Sequence, residues 1–347
     1  MGACLRMARR HRSLTGTNPA VGTILVKEGV VVGRGTTALG GRPHAEAVAL
    51  AIAGEKASGS TAYVSLEPCA HHGATPPCAR TLIDAGVARV VTAWIDPDKR
   101  VDGKGHAMLR DAGIDVLVEC LAERASRDLA GYISRKQKSR PHVTLKLAVS
   151  ADGKLGREGE EVPITGALSR AYVHRMRAEH EGILVGIGTV QSDDPELTCR
   201  LPGLFHRSPH RFVLDSEGRT SASSRLVQSS DQTPVTLIVS TQAEVAAHGA
   251  VRILRAESVD GHLALPEILE DLAATGLSSL MVEGGAKVAQ SFLEAGLVDE
   301  IALFQSDKVV GDDGIASPIT EASVPQEFAL DRSLQLGDDQ LTIYYKV

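Results

Sequence analysis

Hydrophobic and polar positions alternate along this chain in short blocks, and the period changes from block to block. Residues 20–26 and 30–33 are rich in apolar and β-branched side chains around Lys27-Glu28-Gly29, which predicts a β-hairpin. Ala45, Val48, Ala49 and Ile52 recur at i, i+3, i+4 and i+7, predicting a helix over 44–53. Pro43 stands just ahead of it, a common helix-start residue. A strand over 61–66, a helix over 78–85 closed by Gly86, a strand over 89–95, a helix near 105–112 and a strand over 115–118 follow. This alternation predicts an α/β layered domain.

The polar, basic stretch 134–141 ends in Pro141 and predicts a boundary. The chain is therefore expected to divide into domains 1–140 and 141–347. The second domain restarts with a strand over 143–149, a helix over 167–179 and a strand over 182–186. Strands are expected over 211–215 and 234–240. A strand over 278–283 should run through Gly284-Gly285 into a helix over 286–295, and strands over 299–304 and 341–347 close the pattern. No short-period repeat or low-complexity tract interrupts it.

A length of 347 residues suits two domains, and an apolar fraction of 43% gives each a core. Aromatic residues make up 3%, which argues against a surface that stacks many bases. No apolar run approaches the roughly 18 residues of a membrane span, and the N-terminus lacks the apolar region of a secretory signal. The five cysteines form a poor disulfide framework, so a reduced, cytoplasmic location is expected, where clustered cysteines usually serve metals or catalysis. Charge is uneven: residues 1–140 carry 20 basic against 13 acidic side chains, and residues 141–347 carry 17 against 30. The asymmetry fits an anionic partner for the first half, and equally two domains with separately evolved surfaces.

The sharpest chemistry lies in the first half. His44-Ala45-Glu46 is followed by Pro68-Cys69 and, nine positions later, Cys78. One imidazole and two thiolates suit zinc, and three protein ligands leave the fourth tetrahedral position for water, as in catalytic sites. One Zn2+ per chain is expected, lowering the pKa of its water to roughly 7. Glu46 is then better used moving protons between water, ring and leaving amine than as a ligand. A His-x-Glu with a Pro-Cys and a second cysteine is the zinc-deaminase pattern, although there the cysteines stand closer. His71 and His72 are expected to line the pocket. In the second half no G-x-G-x-x-G occurs. Gly186-Ile187-Gly188 alone reads as a tight turn. Gly284-Gly285 reads either as an ordinary strand–helix turn or as a helix start that offers N–H groups to an anion.

The first half also carries Asn18-Pro19-Ala20-Val21-Gly22, Gly41-Arg42-Pro43-His44-Ala45-Glu46, Leu66-Glu67-Pro68-Cys69, Asp96-Pro97 and Gly103-Lys104-Gly105. With its long Cys69–Cys78 loop it resembles the deaminase domain of the bifunctional riboflavin-biosynthesis deaminase/reductases. The second half carries, in order, Arg140-Pro141, Leu145-Lys146-Leu147-Ala148, Ile164-Thr165-Gly166, His174 to Arg177, Thr189, Asp193-Asp194-Pro195, Leu197-Thr198, Arg200 and Glu283-Gly284-Gly285. It resembles the reductase domain of the same family. The resemblance implies a cytidine-deaminase-like three-layer domain followed by a dihydrofolate-reductase-like α/β domain. It implies deamination of a phosphoribosylaminopyrimidine and then reduction of its ribosyl group by NADPH. Asn18 is implied to hold the pyrimidine. Ala148, Thr189, Asp193 and the helix start at Gly285 are implied to contact NADPH. Arg177, Leu197, Arg200 and Glu283 are implied to contact substrate, and two arginines can grip a phosphate.

Four positions depart from the family pattern. Thr37 stands where a histidine is common, and Ala74 where a lysine or arginine is common, both near the substrate phosphate. Arg42, His71, His72 and Arg80 are candidates to compensate. Glu161 and Pro163 stand where a serine and a tryptophan are common beside the reductase site. A small-molecule substrate is expected, with no nucleic acid, no membrane and a homo-oligomeric state. The rival readings are a tRNA deaminase with an accessory domain, favoured mildly by the basic first half, and a chain with one inactive domain.

Overall fold

A computed structural model describes all residues except 74, 161, 246–248 and 260. The departures noted at Ala74 and Glu161 therefore lie outside the described residues. The chain forms two compact units, Met1–Ser139 and Arg140–Val347.

In the first unit the helix α1 (Gly2–Arg9) precedes a five-stranded sheet. Its strands are β1 (Gly22–Lys27), β2 (Val30–Thr36), β3 (Thr61–Val64), β4 (Arg89–Thr92) and β5 (Asp115–Leu117), in the order β2-β1-β3-β4-β5. β1 pairs antiparallel with β2 across Glu28-Gly29 and antiparallel with β3. β3, β4 and β5 run parallel. The helices are α2 (Ala45–Ala53), α3 (Cys78–Asp84), α4 (Lys104–Asp111), α5 (Ala122–Asp128) and α6 (Ala130–Lys138).

The sheet is covered on both faces, as its sequence requires. Thr23 pairs with Gly35, so Gly33 and Gly35 share one face and Gly22 lies on the other. A Cβ at Gly33 or Gly35 would lie 2.3 Å from the carbonyl oxygen of Ala49 or Ala45, so the backbone of α2 rests directly on β2. A Cβ at Gly22 would lie 2.2 Å from the carbonyl of Cys4, which seats α1 on the opposite face. The main core lies on the α2 side, with Leu25, Ala45, Ala49, Ala62, Val64, Leu82, Val90 and Leu109. Leu5, Ala93 and Ala125 form a smaller cluster beneath α1 and α5.

Most elements predicted in this half occur within a few residues of their expected bounds. The stretch 134–141 differs. Instead of a linker, most of it is the last turns of α6, whose Tyr132 and Ser134 are buried. Its basic residues Arg135, Lys136 and Lys138 fall in the final turn, where the helix dipole favours cations.

The second unit holds a nine-stranded sheet built from β6 (His142–Val149), β7 (Gly182–Gly186), β8 (His210–Leu214), β9 (Val235–Ser240), β10 (Arg252–Ala256), β13 (Ser279–Val282), β14 (Glu300–Gln305), β15 (Phe328–Leu336) and β16 (Asp339–Lys346). A small ribbon is made by β11 (Ser258–Val259) and β12 (His262–Leu263). The order is β10-β9-β8-β7-β13-β6-β14-β16-β15. The first seven strands run parallel, and the last two form an antiparallel edge.

Parallel strands covered on both sides are apolar along their whole length, and β7 is buried at every position. One face is covered by α10 (Leu265–Ala274) and α11 (Ala286–Glu294), through Ile268, Leu269, Ala289 and Phe292. The other is covered by α7 (Ala167–Glu179) and α9 (Arg225–Gln228), through Val173, Met176 and Leu226. The short helix α8 (Ile187–Asp193) begins where β7 ends. The expected tight turn at Gly186-Ile187-Gly188 is thus a helix start. The mixed α/β architecture expected of both halves is the one found.

Candidate active site

His44 is the N-cap residue of α2, and Cys78 is the first residue of α3. Their placement on helix starts, beside Cys69 on the loop after β3, brings three soft donors together. The His44 Nδ1 lies 3.8 Å from the Cys69 Sγ and 3.4 Å from the Cys78 Sγ. All three donor atoms fall within 4.8 Å of one another, the one such His, Cys or carboxylate cluster among the described residues. The Cys78 N–H donates to the Cys69 Sγ at 3.3 Å. The His44 Nε2 is buried without a hydrogen-bond partner, so Nδ1 is the nitrogen turned to the sulfurs.

The sulfurs are electrically unlike. A hydrogen bond from the Cys78 thiol, opposed by burial, holds Cys69 down at about 4. The same contact, together with burial, pushes Cys78 far above the usual thiol range. The hydrogen bond to Cys69 raises His44 against the opposing effect of burial. A divalent ion among these atoms reverses the balance, favouring two thiolates and a neutral imidazole. A His-Cys-Cys set with a buried carboxylic acid beside it fits zinc in a catalytic setting. That acid is Glu46, in the first turn of α2 and 4% exposed. Burial and the nearby Cys69 charge raise it to about 7.

His44, Glu46 and Cys69 line a cavity of about 460 Å³. Asn18, Thr37, Arg42, His71, His72, Asp96 and Asp98 also line it. Thr37 is 2% exposed. Its hydroxyl donates to the Pro19 carbonyl and accepts from the Val21 N–H, so it is spent on the backbone. Arg80 is not a lining residue and pairs with Asp84.

Sequence reasoning passed over Glu67. Its fully buried carboxylate accepts N–H bonds from Asp96, Gly103 and His106 at 3.2, 3.0 and 3.1 Å. It ties the loop after β4 to the residue preceding Pro68-Cys69. The available signal was a lone carboxylate following an apolar strand and adjoining the metal loop. Asp96, raised to about 6 by burial, accepts from the Tyr132 hydroxyl at 2.9 Å, which links the same loop to α6.

In the second unit the expected residues gather at the carboxyl ends of the neighbouring parallel strands β7, β13 and β6, where open α/β sheets bind ligands. Gly285 is the N-cap of α11, and a Cβ there would lie 3.6 Å from the Thr189 hydroxyl of α8. Gly188 faces open space. A nine-residue helix start beside a hydroxyl and bare backbone fits cofactor phosphates. Ala148 lies on β6 and Asp193 at the exposed end of α8.

Glu283, directly after β13, receives the Arg177 Nε at 2.8 Å and Nη2 at 2.9 Å. The Lys146 Nζ lies 3.8 Å away. Burial alone would raise Glu283; Arg177 and Lys146 together bring it down to about 2. Both arms of the Arg177 fork therefore face Glu283, and its Nη1 donates to the Thr198 carbonyl. Of its five N–H groups three are thus engaged, and one on Nη1 and one on Nη2 remain for a ligand.

Arg200 is half exposed and pairs with Glu196 at 3.2 Å. Leu197 is 3% exposed, with its side chain in the core and a left-handed φ of 54°, so only its main chain can face a ligand. Lys146 was not singled out from the sequence, although a lysine within an otherwise apolar strand was a legible signal. Pro163 is exposed, and its carbonyl accepts from Lys308.

The comparisons with known proteins agree with this geometry. Residues 1–94 match the cytidine and deoxycytidylate deaminase zinc-binding region, and residues 141–342 match the RibD C-terminal domain. The riboflavin biosynthesis protein RibD of Escherichia coli is 40% identical, over 90% of this chain and 88% of its own length. That of Haemophilus influenzae is 38% identical, over 98% and 94%. The structure of Acinetobacter baumannii RibD is similar with a TM-score of 0.88 at 32% identity, covering 100% of this chain and 97% of that one. The diaminohydroxyphosphoribosylaminopyrimidine deaminase/5-amino-6-(5-phosphoribosylamino)uracil reductase of Thermotoga maritima gives 0.89 at the same identity and coverage. The rival reading of a tRNA deaminase with an accessory domain falls to the match over 141–342. The first half is a zinc-binding deaminase domain, and the second is a reductase domain of the NADPH-dependent type. The chain belongs to the RibD family, the bifunctional deaminase/reductases of riboflavin biosynthesis.

Proposed function

We propose that residues 1–140 deaminate 2,5-diamino-6-(5-phosphoribosylamino)pyrimidin-4-one to the corresponding uracil, and that residues 141–347 then reduce its ribosyl group to ribityl. The observation that carries the first step is the His44, Cys69 and Cys78 cluster with Glu46 buried beside it. His44, Cys69 and Cys78 hold one Zn2+, which supplies the Lewis acidity that makes water nucleophilic near neutral pH. Glu46, buried beside the cluster, takes a proton from the attacking water and passes it to the ring nitrogen and then to the departing amine. Asn18 holds the pyrimidine. The match of residues 1–94 to a zinc-binding deaminase region supports this division of labour.

NADPH supplies the hydride for the second step. Gly285, Thr189, Ala148 and Asp193 would hold the cofactor, the start of α11 offering N–H groups suited to phosphates. Glu283, kept ionised by Arg177 and Lys146, offers a carboxylate acceptor to the substrate. The main chain at Leu197 lies against the substrate, Arg200 holds its phosphate, and Arg177 acts through Glu283. No helix among the described residues is long and apolar enough to cross a membrane. In this reading the chain acts on a small molecule in the cytoplasm. The working state is a homo-oligomer that binds no nucleic acid; sedimentation and a tRNA gel shift check these two points.

The deciding experiment gives the purified chain the diaminopyrimidine with and without NADPH. Ammonia should be released in both cases, and the ribityl product should appear only with NADPH. Absence of either product removes the corresponding half of the proposal.

A further inference from the structure

We propose that Arg42 is the residue of the deaminase cavity that selects for the phosphate of the substrate. This rests on the deaminase reading above. The reacting carbon must lie near His44, Cys69, Cys78 and Glu46, at the buried end of the cavity. A phosphate carries close to two negative charges, and burying them away from water is costly. It will therefore lie where the cavity opens, against a cation able to receive it.

Four arginine and lysine side chains line the cavity: Arg42, Arg100, Arg135 and Lys136. Three are already committed. Arg100 donates to Asp98 through Nε at 2.9 Å and Nη2 at 2.7 Å. Lys136 donates to the same carboxylate at 2.8 Å. Arg135 is engaged by the Thr17 carbonyl.

Arg42 is different. It is exposed, and among the described residues its side chain donates to a neutral group, the Thr75 hydroxyl, at 3.2 Å through Nη1. Its Nη2 lies over Gly73, where an added Cβ would come within 3.1 Å. The guanidinium thus reaches from the segment preceding His44 across to the loop joining Cys69 and Cys78. A planar cation held on one side by a hydroxyl keeps its other donors for an oxyanion, and guanidinium geometry matches phosphate in a way ammonium does not. Thr37, which also lines the cavity, has no hydroxyl proton left to offer a phosphate.

The test compares deamination of the phosphorylated substrate with that of its dephosphorylated nucleoside, in wild type, Arg42→Ala, Arg42→Lys and Thr75→Ala. Wild type should prefer the phosphorylated compound. Arg42→Ala should raise KM for it about 10- to 100-fold, the scale of one or two charge-assisted hydrogen bonds. It should leave kcat, zinc content and turnover of the nucleoside nearly unchanged. Arg42→Lys should recover part of the preference, and Thr75→Ala should keep most of it. Equal losses on both compounds, loss of zinc in Arg42→Ala, or a Thr75→Ala defect as large as that of Arg42→Ala would each make Arg42 a brace for the metal loop and overturn the proposal. An unchanged preference in Arg42→Ala overturns it directly. If wild type deaminates neither compound, the deaminase reading itself fails.

Discussion

Glu46 and Glu283 are both buried carboxylates, and their surroundings drive them in opposite directions. Burial and the negative charge of Cys69 raise Glu46 to about 7; a divalent cation beside it opposes that rise and favours the carboxylate that can take a proton from water. Glu46→Gln should retain zinc, measured by elemental analysis, and lose deaminase turnover by roughly 10²- to 10⁴-fold; near-normal turnover with zinc bound would exclude the shuttle role. Glu283 is held at about 2 by Arg177 and Lys146. A carboxylate whose folded value lies below its usual 4.5 adds stability that is complete above that pH and lost as pH falls toward 2. Glu283→Gln should remove this acid dependence. It also leaves two cations buried without their counter-charge, a cost on the order of 3–5 kcal/mol. Denaturant unfolding of wild type and variant between pH 3 and 7 checks both statements. The metal ligands were legible in the sequence because their identity and spacing are themselves the chemistry. The engagement of Arg177 was not, because Glu283 lies far along the chain and meets it only through the folding of α7 against the strands.

Among elements, those with a clear period were legible and those on the rim were not. The helix predicted over 167–179 is α7, and the hairpin over 20–33 is β1 and β2. The strand β15 was missed: as an edge strand it exposes many of its positions and carries Asp331 and Arg332, which blurs the apolar signal that central strands provide. The second half of α6 was read only as part of a polar, basic boundary, although Tyr132 anchors the helix inside. The strand–glycine–helix passage from β13 to α11 was read correctly, and it carries a direct test. Gly285→Asp sets a carboxylate at the start of α11, where cofactor phosphates are proposed to lie. It should abolish reduction and NADPH binding, measured by fluorescence titration, while deamination continues. NADPH binding equal to that of wild type would show that the phosphates lie elsewhere.

For the molecule as a whole, the division into two units, each with its own core, bears on how its two activities fail. The metal cluster and every residue lining its cavity belong to Met1–Ser139. Removing zinc with a chelator should therefore stop ammonia release while leaving NADPH-dependent reduction of separately supplied aminouracil substrate close to its starting rate. Parallel loss of both activities, followed by ammonia and NADPH assays on one preparation, would contradict this independence. The two-domain plan was legible because composition and charge change between the halves. The nine-strand order of the second sheet was not, since parallel pairing is decided by crossovers that leave no local mark in sequence.

Val288 of α11 lies against the ends of two strands at once. A Cβ at Gly186 would come within 2.7 Å of its Cγ2, and one at Gly284 within 2.6 Å of its Cβ. One branched side chain thereby sets the permitted size at two positions about a hundred residues apart in sequence. The two positions differ in what could release them: a methyl group gained at position 186 becomes tolerable once position 288 has lost its branch, whereas at position 284 it meets the Cβ that alanine would keep. Gly186→Ala alone should impair the reductase and Val288→Ala should restore part of what was lost, while Gly284→Ala should gain little from the same second change, a dependence of mutational order that double-mutant assays can read.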